Sequence, residues 1–176
     1  MKERNEVVLV DMRDREIGIA EKQQAHMDGL LHRAFSVFLY RGDEILLQKR
    51  APHKYHCGGL WTNTCCSHPG KDETVLEAAR ERLLQETGIH AEGLEEIGSF
   101  IYRAVFENGL TEYEYDHVII GEYDGSFDLN RDEVEEISWV RLNDLMADLL
   151  ISPQKYTPWF LTALKPVVDY IEERHM

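Results

Sequence analysis

The segment 74–87 limits the architecture more than any other. Val75, Leu76, Ala79 and Leu83 fall on one stripe at helical spacing, and Gly88 supplies the stop. Such a helix needs a partner for its apolar stripe, and the sequence around it reads as strands. Residues 6–12, 33–40, 44–49, 96–106, 112–123 and 136–140 carry the patterns of a sheet. Arg41-Gly42-Asp43 marks a hairpin turn, and Glu107-Asn108-Gly109 marks another. Residues 14–18 read as a turn, and 21–26 as a helical turn or loop. Helical periodicity returns at 142–149 and 156–173. Strands grouped around one central helix, with helices at the end, predict an α+β fold, an α/β/α sandwich on a mixed β-sheet.

Between the 33–49 hairpin and this helix, residues 51–72 hold Pro, Gly, His and Cys and fit no regular element. A loop this long inside a compact domain is usually functional. Its run Trp61-Thr62-Asn63-Thr64-Cys65-Cys66-Ser67-His68-Pro69 sets a thiol two residues from an imidazole, in a stretch whose composition marks it as loop. A thiol exchanges protons, and an imidazole binds metals.

At 176 residues the chain is expected to be a single domain, burying roughly 70% of its unfolded surface. No apolar run approaches the ~20 residues that span a bilayer, which predicts no membrane partner. Residues 1–5 carry acid and lack an apolar segment, unlike a signal peptide, so a cytoplasmic location is expected. Three cysteines, two of them adjacent, make no disulfide framework. A net charge of −14 argues against nucleic acid, whose phosphates are held by Lys and Arg. The same field repels any diphosphate, so a substrate of that kind needs divalent cations and a local basic cluster. Monomer and homodimer both remain open.

Candidates for the cation exist. Glu112 and Glu114 alternate on a strand and leave the same face. With His26, His32 and His68 they make an octahedral set of nitrogen and oxygen donors, suited to manganese, magnesium or zinc more than to calcium. Spacing alone leaves each histidine readable as a core or surface residue, and the glutamates as a solvated face. Glu86 falls at the edge of the 74–87 stripe, where a carboxylate needs a metal or a partner. Arg82, one turn earlier, is that partner in the simpler reading.

The run from Trp61 to Pro69 resembles the cysteine motif of type I isopentenyl-diphosphate isomerases, a branch of the Nudix superfamily. The resemblance covers about residues 5–165 and implies a Nudix-like fold with a core near 31–165. It implies metal ligation by His26, His32, His68, Glu112 and Glu114, with manganese, magnesium or zinc there. It also implies a second magnesium at Glu86, bridging protein and diphosphate. Lys22, Arg50, Lys54 and Arg82 match positions that contact the diphosphate. Cys66 and Glu114 match the acid and base on opposite faces of a five-carbon chain, with Tyr102 hydrogen-bonded to Glu114 and Trp159 facing a transient cation. Nearby cations would favour the Cys66 thiolate.

The Nudix signature itself is worn here. Ser67 stands for its glycine, Glu81-Arg82 for Arg-Glu, and Gln85 for the first of its paired glutamates. Loss of those acids weakens a hydrolase reading, while Glu86 survives. The activity implied is interconversion of isopentenyl and dimethylallyl diphosphate, in isoprenoid biosynthesis. The rivals are a Nudix hydrolase of nucleoside diphosphate derivatives and a zinc-stabilised module built on Cys57, Cys65, Cys66 and His68. Trp61 reads as scaffold, Cys65 as a small buried residue and Cys57 as incidental. His53 and His56 have no assignment.

Overall fold

The computed structural model describes residues 5–175; residues 1–4, on which most of the signal-peptide argument rests, lie outside the described residues. In chain order the elements begin with β1 (Glu6–Val10), β2 (Glu16–Glu21), α1 (Lys22–Asp28), β3 (His32–Arg41) and β4 (Glu44–Arg50). They continue with β5 (Trp61–Thr62), β6 (Cys65–Ser67), α2 (Val75–Thr87), β7 (Glu95–Val105) and β8 (Thr111–Glu122). β9 (Val134–Arg141), α3 (Leu142–Ile151), a 3-10 turn at Pro153–Lys155 and α4 (Phe160–His175) complete them.

β3 organises the sheet. Along one edge it runs parallel to β8, from His32 opposite Glu114 to Tyr40 opposite Glu122. Its other edge is shared in succession by β1 (Leu9 opposite His32), β6 (Ser36 opposite Cys66) and β4 (Leu39 opposite Leu46). β4 then peels away to pair with β5 and β9, and the sheet becomes mixed and forked.

Nearly every β3 residue is buried, as expected of a strand covered on both faces. Phe35, Val37 and Leu39 pack with Ala78, Ala79 and Leu83 of α2. Phe38 and Tyr40 pack on the opposite face with Val118 and Ile120, under Leu145 of α3 and Phe160, Leu164 and Val167 of α4. The two-residue period thus sorts one strand between two helical layers, and the expected sandwich forms.

α2 is held at both ends. Thr74 and Glu77 form a capping box, the Thr74 hydroxyl accepting from the Glu77 amide at 3.2 Å and the Glu77 carboxylate accepting from the Thr74 amide at 2.9 Å. At the other end Gly88 has φ 67°, and a Cβ there would lie 2.9 Å from the Asp128 carbonyl. Asp128 and Asn130 amides donate to the Thr87 and Glu86 carbonyls, which fixes the turn carrying Glu86.

Four local readings change. Residues 16–21 are a strand, not part of a turn at 14–18. The reversal finishes earlier because the Asp11 carboxylate accepts from the Arg13 and Arg15 amides at 2.8 and 3.1 Å. The polar stretch from Lys22 to Asp28 is a true helix. Cys65–Ser67 is a strand rather than loop. Thr64 Oγ1 donates to the Leu46 carbonyl at 2.6 Å and accepts from the Leu39 amide at 2.9 Å, filling the fork where β3 and β4 part. α4 starts at Phe160 rather than 156, because Tyr156 bridges Trp61 and the Thr157 amide donates to the Trp61 carbonyl. Among the described residues no helix is long and apolar enough to cross a membrane.

Candidate active site

The face of β3 and β8 that is apolar at Phe38 and Val118 turns polar toward the start of both strands. There His32, Ser36, Glu112, Glu114 and Asp116 are all buried. Register places Tyr102 of β7 opposite Glu114. Gly29, at φ 64°, reverses the chain between α1 and β3, so His26 and His32 meet edge to face with ring centroids 5.0 Å apart. His68, just past β6, completes a triangle, 5.0 Å from the His32 ring and 5.9 Å from His26.

The donor chemistry of this cluster fits a divalent cation. Glu114 Oε1 lies 2.9 Å from His68 Nε2 and 3.5 Å from His32 Nε2. His26 Nδ1 donates to the Lys22 carbonyl at 2.7 Å and His32 Nδ1 to the Leu30 carbonyl at 2.8 Å, which turns both Nε2 lone pairs inward. Both Nε2 atoms are buried without a hydrogen-bond partner. Donor atoms of His26, His32, His68 and Glu114 all lie within 4.8 Å of one another.

Electrostatics follow from burial opposed by these contacts. Burial disfavours ionised Glu114, but the nearby His32 and His68 imidazoles outweigh it and hold the carboxyl well below the usual range. Burial pushes the His68 imidazole down to about 3. Burial, then the Glu114 and Glu112 charges, holds the Tyr102 hydroxyl well above its ordinary value, so it keeps its proton. That hydroxyl lies 3.0 Å from Glu114 Oε2 and in closer contact with Glu112, one proton for two carboxylates.

Cys66 lines the same pocket as Glu114, Tyr102 and Trp159. Its sulfur donates to Asn63 Oδ1 at 3.1 Å, and the Trp159 indole donates to the same oxygen at 3.3 Å. One amide thus orients both side chains. The thiolate expectation is overturned: burial pushes the Cys66 thiol up to about 12, and Arg50 only partly offsets this.

Lys22, Arg50, Lys54 and Arg82 also line this pocket, with Glu86. Lys54 pairs closely with Glu133, and Arg82 lies 2.5 Å from Glu86 and 3.6 Å from Glu133. Gln48 donates to the other Glu86 oxygen at 3.1 Å. Burial, then the charges of Lys54 and Arg82, lowers the Lys22 ammonium, which records how closely the cations converge. The buried Nε atoms of Arg50 and Arg82 have no protein acceptor, as donors kept for an anion would be.

Three residues lining the pocket escaped the sequence reading. Asp116 continues the alternation of Glu112 and Glu114, and extending that pattern by one step would have found it. It accepts from the Ser36 hydroxyl at 2.9 Å, and burial with the nearby Glu114 charge holds its carboxyl well above the usual range. Glu133 carries no motif. His56, left unassigned, is buried with Nε2 2.5 Å from Glu112 Oε1. Among the described residues the groupings able to hold a metal contain no cysteine, which removes the basis for a thiolate zinc module.

Comparison with known proteins gives the family. The NUDIX domain family matches residues 30–160. An isopentenyl-diphosphate Delta-isomerase of Photobacterium profundum is 46% identical over 175 residues, covering 96% of this chain and 97% of its own. Isopentenyl-diphosphate Delta-isomerase 1 of Aromatoleum aromaticum is 48% identical over 170 residues, covering 96% of each chain. Among solved structures, a MutT NUDIX hydrolase from Burkholderia pseudomallei is similar with TM-score 0.62 and 24% identity, over 78% of this chain and 98% of its own. A Deinococcus radiodurans protein reaches TM-score 0.67 at 17% identity, over 84% of this chain and 90% of its own. At such identities the structural likeness speaks for the fold alone. By the family match and its near full-length relatives, the chain belongs to the NUDIX domain family and, within it, to the isopentenyl-diphosphate Delta-isomerases.

Proposed function

We infer that this chain interconverts isopentenyl diphosphate and dimethylallyl diphosphate, by proton addition at one carbon and removal at its neighbour, as a step of isoprenoid biosynthesis. The observation that carries the mechanism is a single pocket lined by two kinds of residue. Cys66, Glu114, Tyr102 and Trp159 line it, and so do Lys22, Arg50, Lys54, Arg82 and Glu86. A substrate with a five-carbon tail and a diphosphate head has that polarity.

In this reading Lys22, Arg50, Lys54 and Arg82 take the diphosphate, offsetting the repulsion of a chain with net charge −14. Glu86 would hold a magnesium ion, whose positive charge would offset that of a bound diphosphate. His26, His32, His68, Glu112 and Glu114 hold a second cation, for which manganese, magnesium and zinc all fit the donors. A cation there withdraws electron density from Glu114 and sharpens its carboxyl as an acid. Tyr102, a neutral hydroxyl between Glu112 and Glu114, would give its proton to one carboxylate as it takes a proton from the other. Cys66 rests as a thiol on Asn63 and serves as the second proton-handling group, across the tail from Glu114. Positive charge developing on the tail faces the indole of Trp159. Arg50, 5.7 Å over the same indole, links tail and head regions. Residues 1–176 act as one catalytic domain in the cytoplasm, as monomer or homodimer, with no nucleic-acid or membrane partner.

Turnover of isopentenyl diphosphate in heavy water tests this. The expected result is deuterium in the five-carbon product and no release of phosphate. Phosphate release without deuterium uptake would identify a hydrolase instead.

A further inference from the structure

Glu133 has no part in the proposed chemistry, yet it lines the pocket beside Lys22, Arg50, Lys54 and Arg82. The other acids there have places of their own. Glu112, Glu114 and Asp116 share one face of β8, and Glu86 pairs with Arg82 at 2.5 Å. Glu133 Oε2 pairs closely with Lys54 and lies 3.6 Å from Arg82 Nη2. One oxygen thus faces two positive side chains from different segments, Lys54 between β4 and β5 and Arg82 on α2.

The backbone that carries this carboxylate is fixed. The Glu133 amide donates to the Asn130 carbonyl at 3.0 Å, and its carbonyl accepts from the Ala51 amide at 3.0 Å. Val134, the next residue, opens β9 opposite Arg50. Burial opposes ionisation of Glu133, but Lys54, then Arg82 and Lys22, hold its carboxyl below the usual value, so it is an anion at neutral pH.

That fixed charge acts in two opposite senses. In the free protein Lys22, Lys54 and Arg82 repel one another, and an anion among them offsets the repulsion. With a diphosphate on the same cations, the same charge is an anion facing an anion, and it weakens the hold. Substrate and product share the diphosphate head, so gripping it more tightly speeds no chemical step. We propose that Glu133 is the resident counter-anion of the basic cluster, keeping its cations together in the free protein and lowering their affinity for a diphosphate. The inference rests on the diphosphate reading of this pocket.

The test uses the full chain with Mg2+ present and inorganic diphosphate as the probe. Affinity is measured by calorimetric titration, and stability by the melting temperature without diphosphate. Glu133→Gln keeps the shape and removes the charge. It is expected to bind inorganic diphosphate roughly tenfold tighter, while the ligand-free protein melts about 2–4 °C lower. The KM for isopentenyl diphosphate should fall, and kcat should not rise. Glu133→Asp keeps the charge and is expected to bind no tighter than wild type. Glu133→Ser, a smaller uncharged side chain, reads the same affinity should Glu133→Gln not fold. Lys22→Met reports on the cluster itself. If wild type does not bind inorganic diphosphate, or Lys22→Met binds it like wild type, the diphosphate reading fails. If Lys22→Met weakens binding but the uncharged Glu133 variants bind no tighter than wild type, only the Glu133 assignment falls. Loss of affinity together with stability would mark Glu133 as a structural support, and tighter binding by Glu133→Asp would trace the gain to space rather than charge. Either result overturns the proposal.

Discussion

Beside the pocket, imidazole nitrogens of His26 and His32 lie buried with no hydrogen-bond partner, close to Glu112 and Glu114. At its basic end, Arg82 and Lys54 are already paired with Glu86 and Glu133. Both ends are crowded with charge, and at the second the protein itself supplies these counter-charges. The first holds donors of like character, lone pairs and carboxylates, that a cation would reconcile. The contrast separates groups kept for chemistry from groups that also hold the fold together. A buried ion pair adds little net stability, but breaking one strands a charge in the interior. Unmatched ligands strand nothing further when one of them is neutralised.

The largest expected effect is at the unbalanced end. Glu114→Gln should lower turnover by about 10²–10⁴, the usual range for a lost acid or base, while the metal-free protein melts near the wild-type temperature. A melting temperature that collapses along with activity would mean that both ends are structural. Next comes Arg82→Ala, which leaves Glu86 buried without its partner and should cost about 3 kcal/mol in denaturant titrations. Adding Glu86→Gln should recover much of that loss. No recovery would show that Arg82 stabilises by packing rather than by pairing.

The smallest effect concerns Asp116, a third carboxyl on the same strand face. Its folded pKa is raised, so between the unfolded value near 4 and that raised value the folded state binds more protons than the unfolded one. Stability therefore falls as pH rises through this window. Asp116→Asn should raise the stability of the metal-free protein at pH 7 by about 1–2 kcal/mol, with no gain at pH 3. An equal gain at both pH values would trace the effect to packing.

Legibility in the sequence followed the range of the interactions. The α2 helix showed because its stripe and its stop at Gly88 are local, and the matching β3–β4 hairpin showed because its turn is local. Cys65–Ser67 was hidden because its strand exists only by pairing with β3, thirty residues away in sequence on the order of the loop it closes. Among site residues, Glu112 and Glu114 were visible by alternation, while Asp116 was missed although one more step of the same rule reaches it. His56 and Glu133 were not, because nothing in their neighbours signals the carboxylate or cation they meet across the pocket.

Local periodicity and turn residues were enough to predict an α+β sandwich, since they reflect interactions between near neighbours in the chain, and the resemblance carried by the Trp61–Pro69 run pointed to the family. Protonation and pairing were decided only by the fold. Cys66 stands close to Arg50 and was expected to ionise, yet enclosure under β3 keeps it a thiol. The energy of an ion depends on how much water surrounds it and which charges approach from distant segments, and both quantities come into existence only when the sheet closes.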